Sequence, residues 1–340
     1  MVALYVIASE EGAGKTTIAA GLAKHFLSNG KKVGFLKPVF AEQKAEGDTD
    51  AAFMKQVLAL PEQAGSLSPL IGGEKRLADR IREVYIEVAQ NKDVVIIEGR
   101  CGQSPDDSLS KVAYEMAGAL KAKVIAVEGY SNGSSIPKFI NCFQGFGENL
   151  LGMVLNKVPK SRQKRVCEEI TGKFSESELR ILGVIPEDRV LFTLTIGELA
   201  ESIDGEILNN AEKSAELVEN IMVQVMAIDS GLEYFGRKAN KAAVVKDDRP
   251  DMQMAALETS TRCLVISGGK APSDYVRLKA QDKGIPIILT GNNINTVVQN
   301  IEDALEKARF AQEKKSARLA EILEQNLNFP AIDKGLGLAR

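Results

Sequence analysis

The chain has 340 residues, 44% of them hydrophobic, 26% charged and 5% aromatic, with 43 Lys and Arg against 46 Asp and Glu. At about 150 residues per domain this is room for two domains, and the proportions exclude a mostly disordered chain. A net charge of −3 excludes nucleic-acid binding by bulk electrostatics, and no apolar run approaches the roughly 18 residues of a membrane-spanning helix.

From the amino terminus, MVALYVIASEEG has neither the basic start nor the small-residue cleavage site of a signal peptide, so a soluble, cytoplasmic protein without membrane contact is expected. Apolar runs at 3–8, 32–36, 94–97, 124–127, 151–156 and 182–185 read as strands. Stretches of helical period at 16–28, 75–89, 111–120 and 135–146 lie between them, and the basic stretch 157–174 reads as a solvated helix. Near-continuous apolar strands separated by helices indicate a parallel sheet covered on both faces. The polar, acidic sequence around 193–219 reads as connecting sequence. The rhythm then restarts with strands at 221–226, 242–245, 264–267 and 286–290 and helices at 228–235, 251–258, 272–283 and 295–308. The expected division is 1–200, a connector at 201–211, a smaller α/β domain at 212–310, and a carboxyl-terminal helix and tail at 311–340. The stretch IEDALEKARFAQEKKSARLAEILEQ reads as one long charged helix, and 329–340 as a frayed end.

Rare residues narrow the chemistry. His25 is the only histidine and falls within a helix, where a packing or surface role is expected. Cys101, Cys142, Cys167 and Cys263 form no C-x-x-C pair, which argues against structural zinc and redox motifs.

The strongest local signal is SEEGAGKTT at 9–17, between a strand and a helix. In that setting consecutive backbone N–H groups and the positive helix end surround a phosphate chain. Gly12, Ala13, Gly14, Lys15, Thr16 and Thr17 are the nucleotide-binding candidates; Lys15 would contact the terminal phosphates and the Thr16 hydroxyl would hold Mg²⁺. Ser9 stands where the P-loop pattern has Gly. The apolar strand before Glu98-Gly99 aims Glu98 at the crevice, because the carboxyl ends of parallel strands face the ligand. Of Asp48 and Asp50, one suits a helix cap and the other the metal. Lys37, after the second strand, adds a cation to the same crevice.

The series SEEGAGKTT, VGFLKPV, DTDAAF, VVIIEG resembles the dethiobiotin synthetase-like P-loop family, which includes the front region of long bacterial phosphate acetyltransferases and relates to cobyrinate amidating enzymes. The resemblance implies Mg²⁺ on Thr16, Asp50 and Glu98, with Asp48 competing for the middle position. It also implies Lys15 and Lys37 as the catalytic cations, and Asn156, in LGMVLNKVP, as the residue that reads adenine. Dethiobiotin synthetases also lack Gly at the Ser9 position, but follow the glutamate with E-G-A-G-G, whereas Glu98 here precedes Gly99-Arg100-Cys101-Gly102. Glu10 occupies the place of the signature lysine of ATPases that dimerise through their P-loops. No base is apparent beside Cys101 to make it a nucleophile.

DRPD at 248–251, LVISGG at 264–269 and KGIPIILTG at 283–291 resemble the DRTGG domain. The implied fold is α/β: a parallel-sheet P-loop NTPase domain followed by a smaller α/β DRTGG-like domain. The implied function is an Mg-ATP-binding regulatory or sensor protein; the alternative is an ATP-dependent ATPase or ligase. The acetyltransferase catalytic region has no counterpart in these residues, so that activity is not expected. Expected partners are a nucleotide and an unidentified small metabolite or protein, with homo-oligomer formation left open.

Overall fold

The computed structural model describes residues 1–40, 49–71, 77–102, 104–130, 142–143, 145–174, 179–188, 191, 193–224, 231–307 and 313–338. Asp48 and most of the helix expected at 135–146 lie outside them. The chain divides into two units, Met1–Glu187 with Ala311–Arg340, and Asp188–Phe310.

In the first unit a six-stranded parallel sheet has the order β2-β5-β1-β6-β7-β8. Its members are β1 (Val2–Ala8), β2 (Val33–Leu36), β5 (Val94–Arg100), β6 (Lys123–Gly129), β7 (Leu150–Val158) and β8 (Ile181–Pro186). A separate short pair joins β3 (Val39–Phe40) to β4 (Leu70–Ile71). Helices α1 (Lys15–Ser28), α2 (Thr49–Val57), α3 (Ala64–Leu67), α4 (Leu77–Val88), α5 (Ser108–Leu120) and α6 (Gln163–Phe174) alternate with the strands. Val94–Ile97 and Val124–Val127 are wholly buried without alternation, as strands covered on both faces must be. From β1 the chain steps to β2 on one side and later to β6 on the other, so the strand order reverses at β1. The carboxyl end of such a strand opens a crevice.

The second unit contains β9 (Leu194–Thr195), α7 (Ile196–Ser202), β10 (Glu206–Ile207), β11 (Leu217–Val218) and β12 (Asn220–Val223). It continues through α8 (Gly231–Gly236), β13 (Lys241–Lys246), α9 (Pro250–Leu257), β14 (Thr261–Ser267), α10 (Asp274–Asp282), β15 (Ile287–Thr290) and α11 (Ile294–Lys307). Its main sheet has the order β10-β15-β14-β13-β12, with β10 antiparallel and the rest parallel. The period of two sorts the core: Ala242 and Val244 face the side packed by α7 and α11, while Ala243 and Val245 face the side packed by α8, α9 and α10.

The stretch 201–211 is no connector: Ile203 is buried in the second core and β10 pairs with β15, so the boundary falls at 187/188 rather than 200. The polar composition concealed sparse apolar residues, Ile196, Leu199 and Ile203, that recur on one helix face. The Thr195 hydroxyl accepts from Glu198 N–H while the Glu198 carboxylate accepts from Thr195 N–H, a capping box that starts α7.

Of the helix expected at 301–325, the described residues form the end of α11 in the second unit and most of α12 (Glu313–Asn326) in the first, and 308–312 lie outside them. Leu319, Ile322 and Leu323 of α12 are buried, and Leu323 presses so closely on Gly21 of α1 that a Cβ there would overlap it. The tail is ordered as α13 (Phe329–Gly335) rather than frayed. Phe329 stacks on His25 with ring centroids 3.9 Å apart, and His25 Nε2 lies 3.0 Å from Asp333 Oδ2. His25 is therefore a packing residue. Among the described residues no helix is long and apolar enough to cross a membrane.

Candidate functional site

Between β1 and α1 the loop turns on two left-handed residues, Gly12 at φ 74° and Gly14 at φ 95°, which glycine adopts without a Cβ penalty. Gly14 is also the residue before α1, and a Cβ on it would overlap the Asn156 amide nitrogen. Asn156 Nδ2 donates to the Ala13 carbonyl at 2.9 Å, so β7 braces the loop from beneath. Lys15, Thr16 and Thr17 are half-buried in the first turn of α1. That turn carries no acid, which leaves the positive end of the helix to an anion.

The strands on either side of β1 each deliver a carboxylate. On β5, Glu98 is 2% exposed and its Oε1 accepts from the Thr16 hydroxyl at 2.7 Å. Glu98 Oε2 is buried and has no hydrogen-bond partner. Burial raises the Glu98 pKa to about 7, against the hydrogen bond from Thr16 and the charges of Lys37 and Lys15, which pull it down. On β6, Glu128 is 1% exposed, and it accepts from Ser9 N–H and from Ser9 Oγ–H, both at 2.9 Å. Burial raises this carboxyl to about 7 as well. Ser9 thus anchors the start of the loop where the P-loop pattern has glycine. Glu128 was not among the residues singled out in the sequence, yet its signal was there: VIAVEG on β6 repeats the apolar-strand, carboxylate, glycine pattern of VVIIEG on β5.

The cations gather on the β5 side. Burial lowers the pKa of Lys15; Glu98 opposes that shift, and Arg100 and Lys37 add to it. Lys37 Nζ lies 2.5 Å from Asp50 Oδ2, in the first turn of α2, with both side chains about three-quarters buried. Arg100 Nη1 lies 2.7 Å from Glu11 Oε1. Cys101 is wholly buried with Sγ 3.4 Å from Ser110 Oγ, and burial raises its thiol pKa, so it is a packing residue rather than a nucleophile.

The structure therefore brings Lys15, Thr16, Lys37, Asp50 and Glu98 together and seats Asn156 under the loop. Among the described residues no group of three or more His, Cys, Asp or Glu is arranged to hold a metal alone. The Thr16 hydroxyl and the unpaired Glu98 Oε2 are hard oxygen donors. Such a pair fits Mg²⁺, which keeps waters and takes its remaining ligands from phosphate.

A family model described as AAA domain matches residues 2–193, more than half of the chain. The chain belongs to that AAA-domain family. A second model, described as DRTGG domain, matches residues 198–304. Phosphate acetyltransferase of Pseudomonas aeruginosa is 22% identical over 365 residues, covering 97% of this chain and 51% of that protein. The ATP-dependent dethiobiotin synthetase BioD of Caldicellulosiruptor saccharolyticus is 28% identical over 119 residues, covering 30% of this chain and 49% of that protein. Among solved structures, the CBS and DRTGG domains of the regulatory region of Clostridium perfringens pyrophosphatase overlay at a TM-score of 0.31 with 15% identity, covering 46% of this chain and 77% of that one. The AAA-family chain spans about half the length of the phosphate acetyltransferases it matches. It is a P-loop α/β domain followed by a DRTGG domain, and the pair is related to those acetyltransferases.

Proposed function

We propose that this chain binds ATP with Mg²⁺ at the loop of residues 9–17 and acts as a regulatory or sensor protein. The observation that carries the reading is the Thr16–Glu98 hydrogen bond beneath the helix start, with Glu98 Oε2 buried and unpaired beside it. Loop N–H groups and the end of α1 take the phosphate chain, and Lys15 reaches its terminal groups. Thr16 and Glu98 would hold the metal, which would supply positive charge to the phosphate chain. Asp50 joins that set by sharing Lys37, and Lys37 in turn faces the phosphates. Asn156, which braces the loop through Ala13, is the residue assigned to the adenine.

The DRTGG match and the relation to phosphate acetyltransferases favour regulation, with a small metabolite or protein as the second partner and a homo-oligomer as one assembly open to it. Four unbridged cysteines suit a cytoplasmic setting. A second reading, an ATPase or ligase, is favoured by the joint presence of Lys15, Thr16 and Glu98, the groups that stabilise a transferred phosphoryl group. Turnover assays separate the two. The regulatory reading predicts binding of Mg-ATP without phosphate release, and steady phosphate release, with or without added metabolites, would support the enzyme.

A further inference from the structure

Arg100 ends β5, two residues beyond Glu98, with Ala8 opposite it in register. Two residues along a strand return to the same face and advance about 6–7 Å. Glu98 and Arg100 therefore rise from one face, Glu98 beneath α1 and Arg100 farther out along the same crevice. The Arg100 side chain is 34% exposed, while that of its partner Glu11 is 78% exposed. Arg100 Nε is buried without a hydrogen-bond partner. The guanidinium is thus drawn in from water yet tied at one end to an acid that stands in solvent, where an ion pair is weak and screened by salt.

The other cation flanking Lys15 is held differently. Lys37 pairs with Asp50, and both are about three-quarters buried, so desolvation holds that pair together more firmly. Arg100 is the cation more easily transferred to another anion. Its planar fork matches phosphate oxygens bidentately, which an exposed carboxylate on a flexible stem does not outcompete.

Resting on the nucleotide reading above, we propose that Arg100 senses the terminal phosphate: clipped to Glu11 otherwise, it transfers to the γ-phosphoryl oxygens of a nucleoside triphosphate, and a diphosphate leaves the clip in place. The transfer frees Glu11 at the loop apex, which turns phosphate count into a change of surface charge. No bond is made or broken; one ion pair is exchanged for another.

Calorimetric titrations with Mg²⁺ and either ADP or a non-hydrolysable ATP analogue, on the full chain and on Arg100→Ala, Arg100→Lys and Glu11→Gln, test this. The parent should prefer the triphosphate. Arg100→Ala should weaken the triphosphate about tenfold and the diphosphate less than about twofold. Arg100→Lys, which keeps charge but loses the fork, should fall between, and Glu11→Gln should tighten the triphosphate alone. Thermal unfolding shows that each variant is folded. Equal weakening of both nucleotides in Arg100→Ala, or no change in either, would overturn the sensor while leaving nucleotide binding intact. If the parent binds neither nucleotide, the nucleotide reading fails and the sensor with it.

Discussion

The Thr16 hydroxyl donates to Glu98 Oε1 at 2.7 Å, across 82 residues of sequence, and joins the first turn of α1 to the end of β5. The pair closes the floor of the phosphate crevice and leaves Glu98 Oε2 buried with nothing bonded to it. Replacement of that carboxylate by an amide removes a charge from the metal shell but keeps its shape. Glu98→Gln should therefore reduce the gain in nucleotide affinity given by Mg²⁺ about tenfold and leave metal-free affinity within about threefold, as one ligand charge is lost and the loop is untouched. Titrations with and without a chelator measure both.

Proton release gives an independent reading of the same carboxyl. With its pKa raised to about 7 by burial, Glu98 is mostly protonated at pH 6, and a metal ion must expel that proton. Binding of Mg-ATP at pH 6 should release up to one proton, seen as a dependence of the binding heat on buffer ionisation enthalpy. The release should shrink by pH 8 and be absent from Glu98→Gln.

Glu128 predicts a pH dependence of stability. Its carboxyl rises from 4.5 to about 7 on folding, so between these values the folded state holds a proton that the unfolded state has lost. The contribution is fully present below pH 4.5 and is lost as pH rises through 7, amounting to at most about 3 kcal/mol. Thermal stability of the nucleotide-free protein should fall from pH 5 to pH 7.5. Glu128→Gln, which keeps an acceptor for Ser9, should flatten part of that slope, and an unchanged slope would remove Glu128 as its source.

Gly14 is held by two constraints, a left-handed backbone and the Asn156 amide against its Cα. Gly14→Ala should cost about 1–3 kcal/mol of stability and weaken nucleotide binding. Gly118, where a Cβ would meet nothing, is the control: alanine there should leave nucleotide affinity unchanged. Denaturant unfolding and calorimetry check both.

The parallel sheet and the loop were legible in the sequence because their signals are local: apolar runs, and glycine, lysine and threonine at fixed spacing. The clips around the site were not. Arg100 and Glu11 are 89 residues apart, and only the strand order that places β5 beside β1 brings them together. Glu128 was missed although its strand repeats the β5 pattern, because nothing local shows that Ser9 will lean on it. The domain boundary was misplaced because the second core starts with a few apolar residues in an acidic stretch. The tail was underrated for a similar reason. Asn328 caps α13 by accepting from Ala331 N–H, but the surface that Phe329 covers belongs to α1, about 300 residues earlier in the chain.

That docking is testable by itself. Ile332 is fully buried, and Ile332→Ala should cost about 2–4 kcal/mol in denaturant unfolding through the cavity it leaves. A change below about 0.5 kcal/mol would mean that α13 contributes little to the first unit.

The role proposed for the loop requires the Thr16–Glu98 pair to serve a nucleotide-bound metal. Its most direct test is a calorimetric titration of the full chain with a non-hydrolysable ATP analogue, in Mg²⁺ and again in excess chelator. Binding should saturate, and Mg²⁺ should tighten it about tenfold or more. An affinity that is the same in both conditions, or no binding in either, would remove the Thr16–Glu98 pair as a metal site.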